Sequence, residues 1–470
     1  MLRPARLVKL YCFFPKKSAG VVAERLQDIG LVHLFDIKEE DRSLRPLAAA
    51  SRKESGELKE KLKKYLAGMK KEKPLEMLIG PGYVELGKKK DAELIGEAKS
   101  LVKEIEKSGD GGRKRLYSRV LSVAESLEDL EKRLDAMEKF GSTQRTASFA
   151  CFVKEENVPD VTNTLDAVAK GKFAFEVKKA GDKAPTLLDN AAIVKPFEIL
   201  TESYGMPPYN GFDPTLLLAV TFTLFFGIMF PDAGYGAVIA AMSALAYYIT
   251  RKASRFARNL NIILVYCGLS SVVFGLFFGE LFGVKIQPIL FEPTRDLIAI
   301  FLISIIIGIV HLSASLASRA AVEKEKIYSL SVLAALWSAV LFAYSREMIY
   351  LGLFAAAFAV MLHKKGFYAA KDIAGIFTRI LSYLRIGILS IAHISVSRVF
   401  VNIAISAPKT LEGVLLAAFL IVIGVSLSFA IGVAVVFLQS LRLEWLEFFG
   451  ELEMGGTKFE PFRRRKEYLY

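Results

Sequence analysis

Apolar residues are distributed in two ways along this chain. Over residues 1–205 they are interleaved with charge, whereas from 214 to 445 they run almost unbroken with sparse charges. In the first stretch, residues 6–14 (RLVKLYCFF) read as a strand and 16–29 as a helix with Val21, Val22, Leu26 and Ile29 on one side. Gly30 stops that helix, and 31–37 (LVHLFDI) reads as a second strand. The same order recurs at 147–178, with ASFACFV, a helix over roughly 160–169 after Pro159, a turn at Gly171 and FAFEVKK. Two βαβ-like units complete one small α/β lobe. Between them, 47–70 and 113–140 are rich in Ala, Leu, Lys and Glu, and Leu116, Val120, Val123, Leu127, Leu130, Leu134 and Met137 recur at helical steps. This predicts a helical hairpin inserted at about 45–140.

A membrane-spanning helix needs roughly 20 apolar residues. Eight segments qualify: 214–230, 233–250, 259–281, 296–318, 327–345, 347–363, 371–405 and 411–445, the last two long enough to be tilted. The expected fold is an α-helical membrane protein of about eight transmembrane helices (206–470, with a short cytosolic tail) behind an N-terminal cytosolic domain (1–205). An even count keeps both termini on one side. With that side cytosolic, the inside loops 251–258, 319–326 and 363–371 carry ten Lys and Arg, against Lys285, Arg295, Arg346 and Lys409 outside. That asymmetry, and the tail cluster Arg463–Lys466, fit the positive-inside tendency, and in a prokaryote would place the chain in the plasma membrane.

Composition adds little to this pattern. The net charge of +13 comes from basic groups flanking spans and from Lys interleaved with Glu, which reads as membrane topology and not as nucleic-acid binding. No secretory signal is recognisable at the N-terminus, where Lys9 interrupts the apolar run. Cys12, Cys151 and Cys267 are too scattered for a metal site or disulfide framework. Gly80–Pro81–Gly82 and Gly109–Gly112 read as turns, and the Lys-Ser/Thr that follows a phosphate loop's glycines is missing, so no nucleotide and no cofactor is expected.

The informative residues are charges inside the apolar half. Arg385 lies deep in ILSYLRIGILSIAHISVSRVF, where a central arginine costs about 2.5–3.5 kcal/mol on insertion scales and stays protonated. Ser382, Leu389, Ala392 and Val396 fall near its helical face and His393 at the margin. Arg442 sits toward the end of the last long helix with Glu444 and Glu447 nearby, where snorkelling to the interface is an equally good account. His311 reads first as a hydrogen-bonded packing residue. Asp232 and Glu280 are candidates for lining a water entry, with helix capping as the plainer role for Asp232.

At these residues the chain resembles the a-subunit of V-type ATPases, called subunit I in archaeal A-type ATP synthases. SYLRIGILSIAHISVSRV is similar to that family's signature helix, with Arg385 and His393 in the places of its arginine and histidine. SLRLEWLEFFGELEMGGTKFEPF is similar to its final helix and maps a second arginine onto Arg442. PFEILTESYGMPPYNGFDPT, LFFGIMFPDAGYG, GIVHLSASL and LQDIGLVHLFDI resemble further family segments. The resemblance implies a non-catalytic stator subunit of a rotary ATPase. Its half-channels would carry H⁺ or Na⁺ past a proteolipid c-ring, with Arg385, Arg442, His393 and Ser382 on the ion path and Asp232, Glu280, His311, Glu444 and Glu447 as candidate lining. It implies peripheral-stalk and central-stalk or collar subunits as partners besides the bilayer. The hairpin is shorter than in most of that family, and Ala430, Gly432 and Ala434 stand where an acidic or amide side chain is common. The rival reading is a secondary transporter with a cytosolic regulatory domain, which predicts inverted repeats that 214–318 and 327–445 do not display.

Overall fold

A computed structural model of the chain describes residues 3–39, 45–47, 52–69, 91–107, 110–250, 255–322, 326–408, 410–420, 422 and 426–464. The turns expected at Gly80–Pro81–Gly82 and Gly109, parts of the loops 251–258 and 319–326, and Lys409, Arg465 and Lys466 lie outside these residues. The chain divides into two units, one built from residues within 5–185 and 458–464 together with Arg255, the other from Arg3, Pro4 and residues within 186–250 and 256–457.

In the first unit, β1 (Leu7–Pro15), α1 (Ala19–Ile29) and β2 (Val32–Phe35) form one βαβ element, and β5 (Thr146–Lys154), α5 (Val158–Ala169) and β6 (Ala174–Lys179) the other. The two are interleaved. Central β1 pairs antiparallel with both β5 and β6, and β2 pairs with the far edge of β5, so each half supplies strands that flank the other's. Short β3 (Arg45–Pro46) and β4 (Gly141–Ser142) extend the sheet. Residues 147–153 of β5 are all buried, as expected of a strand covered on both faces, and Leu10, Cys12, Val22, Leu26, Phe149, Val161 and Leu165 fill the core.

The inserted helical region departs from a hairpin. It contains α2 (Arg52–Met69), α3 (Asp91–Lys107) and α4 (Asp110–Glu138), and the unexpected α3 contributes Leu94, Leu101, Val102 and Ile105 to a core shared with Leu58, Leu62, Val123, Leu127 and Leu130. Residues 458–464 also belong to this unit. The N–H of Phe462 donates to the Val32 carbonyl (2.7 Å), the N–H of Glu460 donates to His33 Nδ1 (2.9 Å), and Arg464 pairs with Asp28 (2.8 Å). Gly30 makes room for this segment. Its φ of 65° ends α1, and a Cβ there would meet Arg463 Cβ at 2.7 Å.

The second unit is almost wholly helical: α6 (Glu198–Tyr204), α7 (Thr215–Met229), α8 (Ala233–Thr250), α9 (Arg255–Phe278), α10 (Leu297–Val322), α11 (Lys326–Ser345), α12 (Met348–Lys365), α13 (Tyr368–Ser382), α14 (Leu384–Ile405), α15 (Leu411–Leu420) and α16 (Ser426–Arg442). A small hairpin of β7 (Glu280–Leu281) and β8 (Val284–Lys285) follows α9. Seven helices among the described residues are long and apolar enough to cross a membrane. The remaining expected span, α7, has 15 residues, roughly 22 Å of rise against a hydrocarbon core of about 30 Å. The expected span 411–445 is divided, with α15 separate and the apolar run that meets the spanning length confined to Phe429–Glu451. The run Tyr368–Ile403 has 36 residues, and α13 gives way to α14 at Tyr383. At roughly 54 Å it crosses such a core only when tilted or bent. One core joins α7, α8, α9, α14 and α16 through Phe222, Phe226, Ile239, Ile263, Ile386 and Val436.

Candidate functional site

Arg385 lies midway along the 36-residue run, in the first turn of α14. Its side chain is half-buried, its Nη1 has no hydrogen-bond partner among the described residues, and the charges of Arg442 and Glu447 both reach it. Ser382, half-buried, closes the preceding helix. Open apolar stripes flank the two arginines. On α14 they run through Ile388, Ala392, Val396 and Val399, and from α16 into the following turn through Ile431, Val435, Leu438 and Leu446, with Arg442 exposed among the latter. Steps of three and four residues put each set on one helical face.

After α16 the chain widens into a π-helix over Leu443–Phe448, a form that recurs at functional sites. The wider turn directs Glu444 and Glu447 inward; Glu444 is fully buried and neither of its carboxylate oxygens has a hydrogen-bond partner among the described residues. Its Oε2 lies 3.5 Å from His311 Nε2, and His311 Nδ1 lies 2.7 Å from the hydroxyl of Tyr383. The imidazole is fixed by stacking on Phe448 (4.9 Å between centroids) and by the edge contact with Phe225 (5.1 Å), while Ser315 donates to the Phe448 carbonyl at 2.7 Å. Tyr383, His311 and Glu444 thus form a row of titratable groups that begins two residues before Arg385. Beyond them, Arg319 and Arg379 both pair with Glu451.

A second polar cluster lies farther along α14. His393 stacks on Phe230 (3.9 Å), is buried, and has no hydrogen-bond partner at Nε2 among the described residues. Asp232 is occupied by backbone. It accepts the N–H groups of Tyr235 (2.9 Å), Phe282 (2.9 Å) and Gly283 (2.9 Å), capping α8 and holding the β7–β8 turn. Gly283 lets that turn lie directly on α14, since its φ is 73° and a Cβ would meet the Ser397 backbone at 2.8 Å. Glu280, fully buried, pairs through Oε1 with Arg398, whose Nη1 also donates to Glu292 (3.0 Å) and Thr294 (3.1 Å). Lys285 (2.6 Å) and Arg295 (3.3 Å) complete the ring around Glu292. The Lys285 hydrogen bond, helped by those from Arg398 and Thr294, holds the Glu292 carboxyl down to about 2 against the effect of burial.

The structure therefore gathers Arg385, Arg442 and Glu447 into one neighbourhood, joins His311 to Glu444 through geometry the sequence does not reveal, and sets Asp232, Glu280 and His393 apart. Arg398, Glu292 and Tyr383 are absent from the sequence-based candidates. Arg398 stands 13 residues after Arg385 in the same apolar run, and its signal is plain, but a charge near a helix end reads as a snorkelling residue until its carboxylate partners are known.

Comparison with known proteins agrees with the motifs. Residues 88–291 match the V-type ATPase 116kDa subunit family. The chain is 29% identical over 436 residues to A-type ATP synthase subunit I of Methanocaldococcus jannaschii, covering 79% of this chain and 62% of that protein. It is 27% identical to the protein of that name from Methanothermobacter thermautotrophicus (80% of this chain, 62% of that protein) and 26% identical to that of Pyrococcus abyssi (96% and 73%). The chain thus spans about three fifths of the length of the first two relatives. By sequence, the chain is thus similar to the V-type ATPase 116kDa subunit family and to the A-type ATP synthase subunit I proteins.

Proposed function

We propose that the chain is the stator membrane subunit of a rotary V/A-type ATPase or ATP synthase, carrying H⁺ or Na⁺ through two half-channels beside a proteolipid rotor ring. Arg385 carries this reading: a permanent charge midway along a long apolar run, with a donor that is unpartnered among the described residues and open apolar stripes beside it. A guanidinium in an apolar run is expensive, and a rotor carboxylate arriving at the stripes supplies a counter-charge. The cation favours the ionised carboxylate and so promotes release of its ion to one half-channel. Reloading from the other lets the rotor re-enter lipid neutral.

Arg442 adds positive charge to the passage. Tyr383, His311, Glu444 and Glu447 serve one half-channel, and His393 and Glu280 the other. In this reading α7 is an eighth, thinner crossing, both termini face the cytosol, and nucleotide chemistry belongs to partner subunits. The first unit meets the stalk subunits.

Arg385→Lys tests the assignment, because lysine keeps the charge but loses the forked donors. In the assembled complex reconstituted into vesicles, ATP-driven ion uptake is expected to fall about tenfold or more, equivalent to roughly 1.4 kcal/mol in the barrier. Unimpaired uptake would remove Arg385 from the ion path.

A further inference from the structure

Three carboxylates approach one another where the β7–β8 hairpin lies on α14, and two of them have no capacity left. Asp232 holds three backbone N–H groups. Glu292 holds Lys285, Arg295, Arg398 and Thr294. Glu280 differs. It is 1% exposed, its Oε1 faces the Arg398 fork, and its Oε2 is buried with no donor among the described residues. Asp232 and Glu292 both act on it with like charge. Binding a proton relieves both the unmatched oxygen and the repulsion, and only Arg398 opposes it.

Resting on the ion-path reading above, we propose that Arg398 is the positioning residue that makes Glu280 an exchangeable ion acceptor at the far end of α14. Its planar fork spans two carboxylates. One, Glu292, is saturated and serves as an anchor that fixes the guanidinium. The other, Glu280, is held by a single oxygen, which leaves Oε2 in place to take and surrender the ion. Thirteen residues, roughly 20 Å of helix, separate this site from Arg385, and His393 stands between them on α14 with an open Nε2. Lys285 and Arg295 face Glu292, so Arg398 is the cation in contact with Glu280.

The test is ATP-driven ion uptake by the assembled, vesicle-reconstituted complex as a function of pH. Arg398→Gln removes the charge that favours ionised Glu280, so the pH limb governed by Glu280 is expected to move upward by roughly 1–3 units. Arg398→Lys, which retains charge and favours assembly, should move it the same way by less. Glu280→Gln should delete that limb, and adding Arg398→Gln to it should change the profile no further. Profiles for the Arg398 variants that superimpose on the unmodified complex, or an Arg398 shift that persists in the Glu280→Gln background, would overturn the inference. Loss of uptake in Arg385→Lys alongside unchanged Arg398 profiles overturns this inference alone, while normal uptake in Arg385→Lys overturns the reading beneath it.

Discussion

Three backbone N–H groups converge on Asp232, and the consequence is a carboxylate committed to architecture. Asp232→Asn exchanges one acceptor oxygen for a donor and orphans at least one of those N–H groups, at a cost of about 1–3 kcal/mol each. The expected result is a lower unfolding temperature in detergent, with ion uptake per assembled complex largely retained; a selective loss of uptake at unchanged stability would reassign Asp232 to the path. Individual residues were unequally legible. Arg385 declares itself by the cost of a charge in an apolar run. Glu444 does not, since its burial depends on a π-turn that no periodicity announces, and its partner His311 lies 133 positions earlier. Asp232 beside Gly234 and Gly236 suggested a cap, but the two N–H groups from the β7–β8 turn come from 50 residues away.

At the scale of elements, the outcome followed how strongly local pattern determines structure. The two βαβ elements are legible because alternation and glycine stops mark them, yet their interleaving is set by strand pairing that only the folded sheet displays. Helix α3 is as periodic as its neighbours, with Leu94, Ala98, Leu101 and Ile105 three or four apart, but its charge density makes it look like a connection within a hairpin. The segment 458–464 has no periodicity at all and is held by position. His33 Nδ1 faces both the N–H (2.9 Å) and the carbonyl (3.1 Å) of Glu460, and burial keeps that imidazole below its ordinary value, with the contact to the Glu460 carbonyl opposing it and the charge of Lys139 adding to it. A depressed histidine contributes stability that is complete above its unfolded value of about 6.5 and declines as pH falls below it. Hydrogen exchange at Glu460 and Phe462 is therefore expected to lose protection relative to the neighbouring sheet between about pH 7 and pH 5, beyond the intrinsic pH effect. His33→Asn should remove that dependence, and an unchanged dependence would exclude the histidine as its source.

For the molecule as a whole, apolar density along the sequence locates the unit whose helices are long and apolar enough to cross a membrane, and charge economy within it points to the proposed ion path. One feature of the other unit reaches further. Its sheet borrows residues 458–464 from beyond the entire membrane unit, docking Phe462 on Val32 and Phe459 against His33. The lobe is in this sense a host and guest encoded some 270 residues apart. Deleting 458–464 should leave the Val32 carbonyl and the His33 ring uncovered, seen as faster hydrogen exchange along β2, and a free peptide of that sequence should restore protection. Nicking the chain between the two pieces would then leave the lobe without a covalent link between host and guest, joined by non-covalent contacts alone.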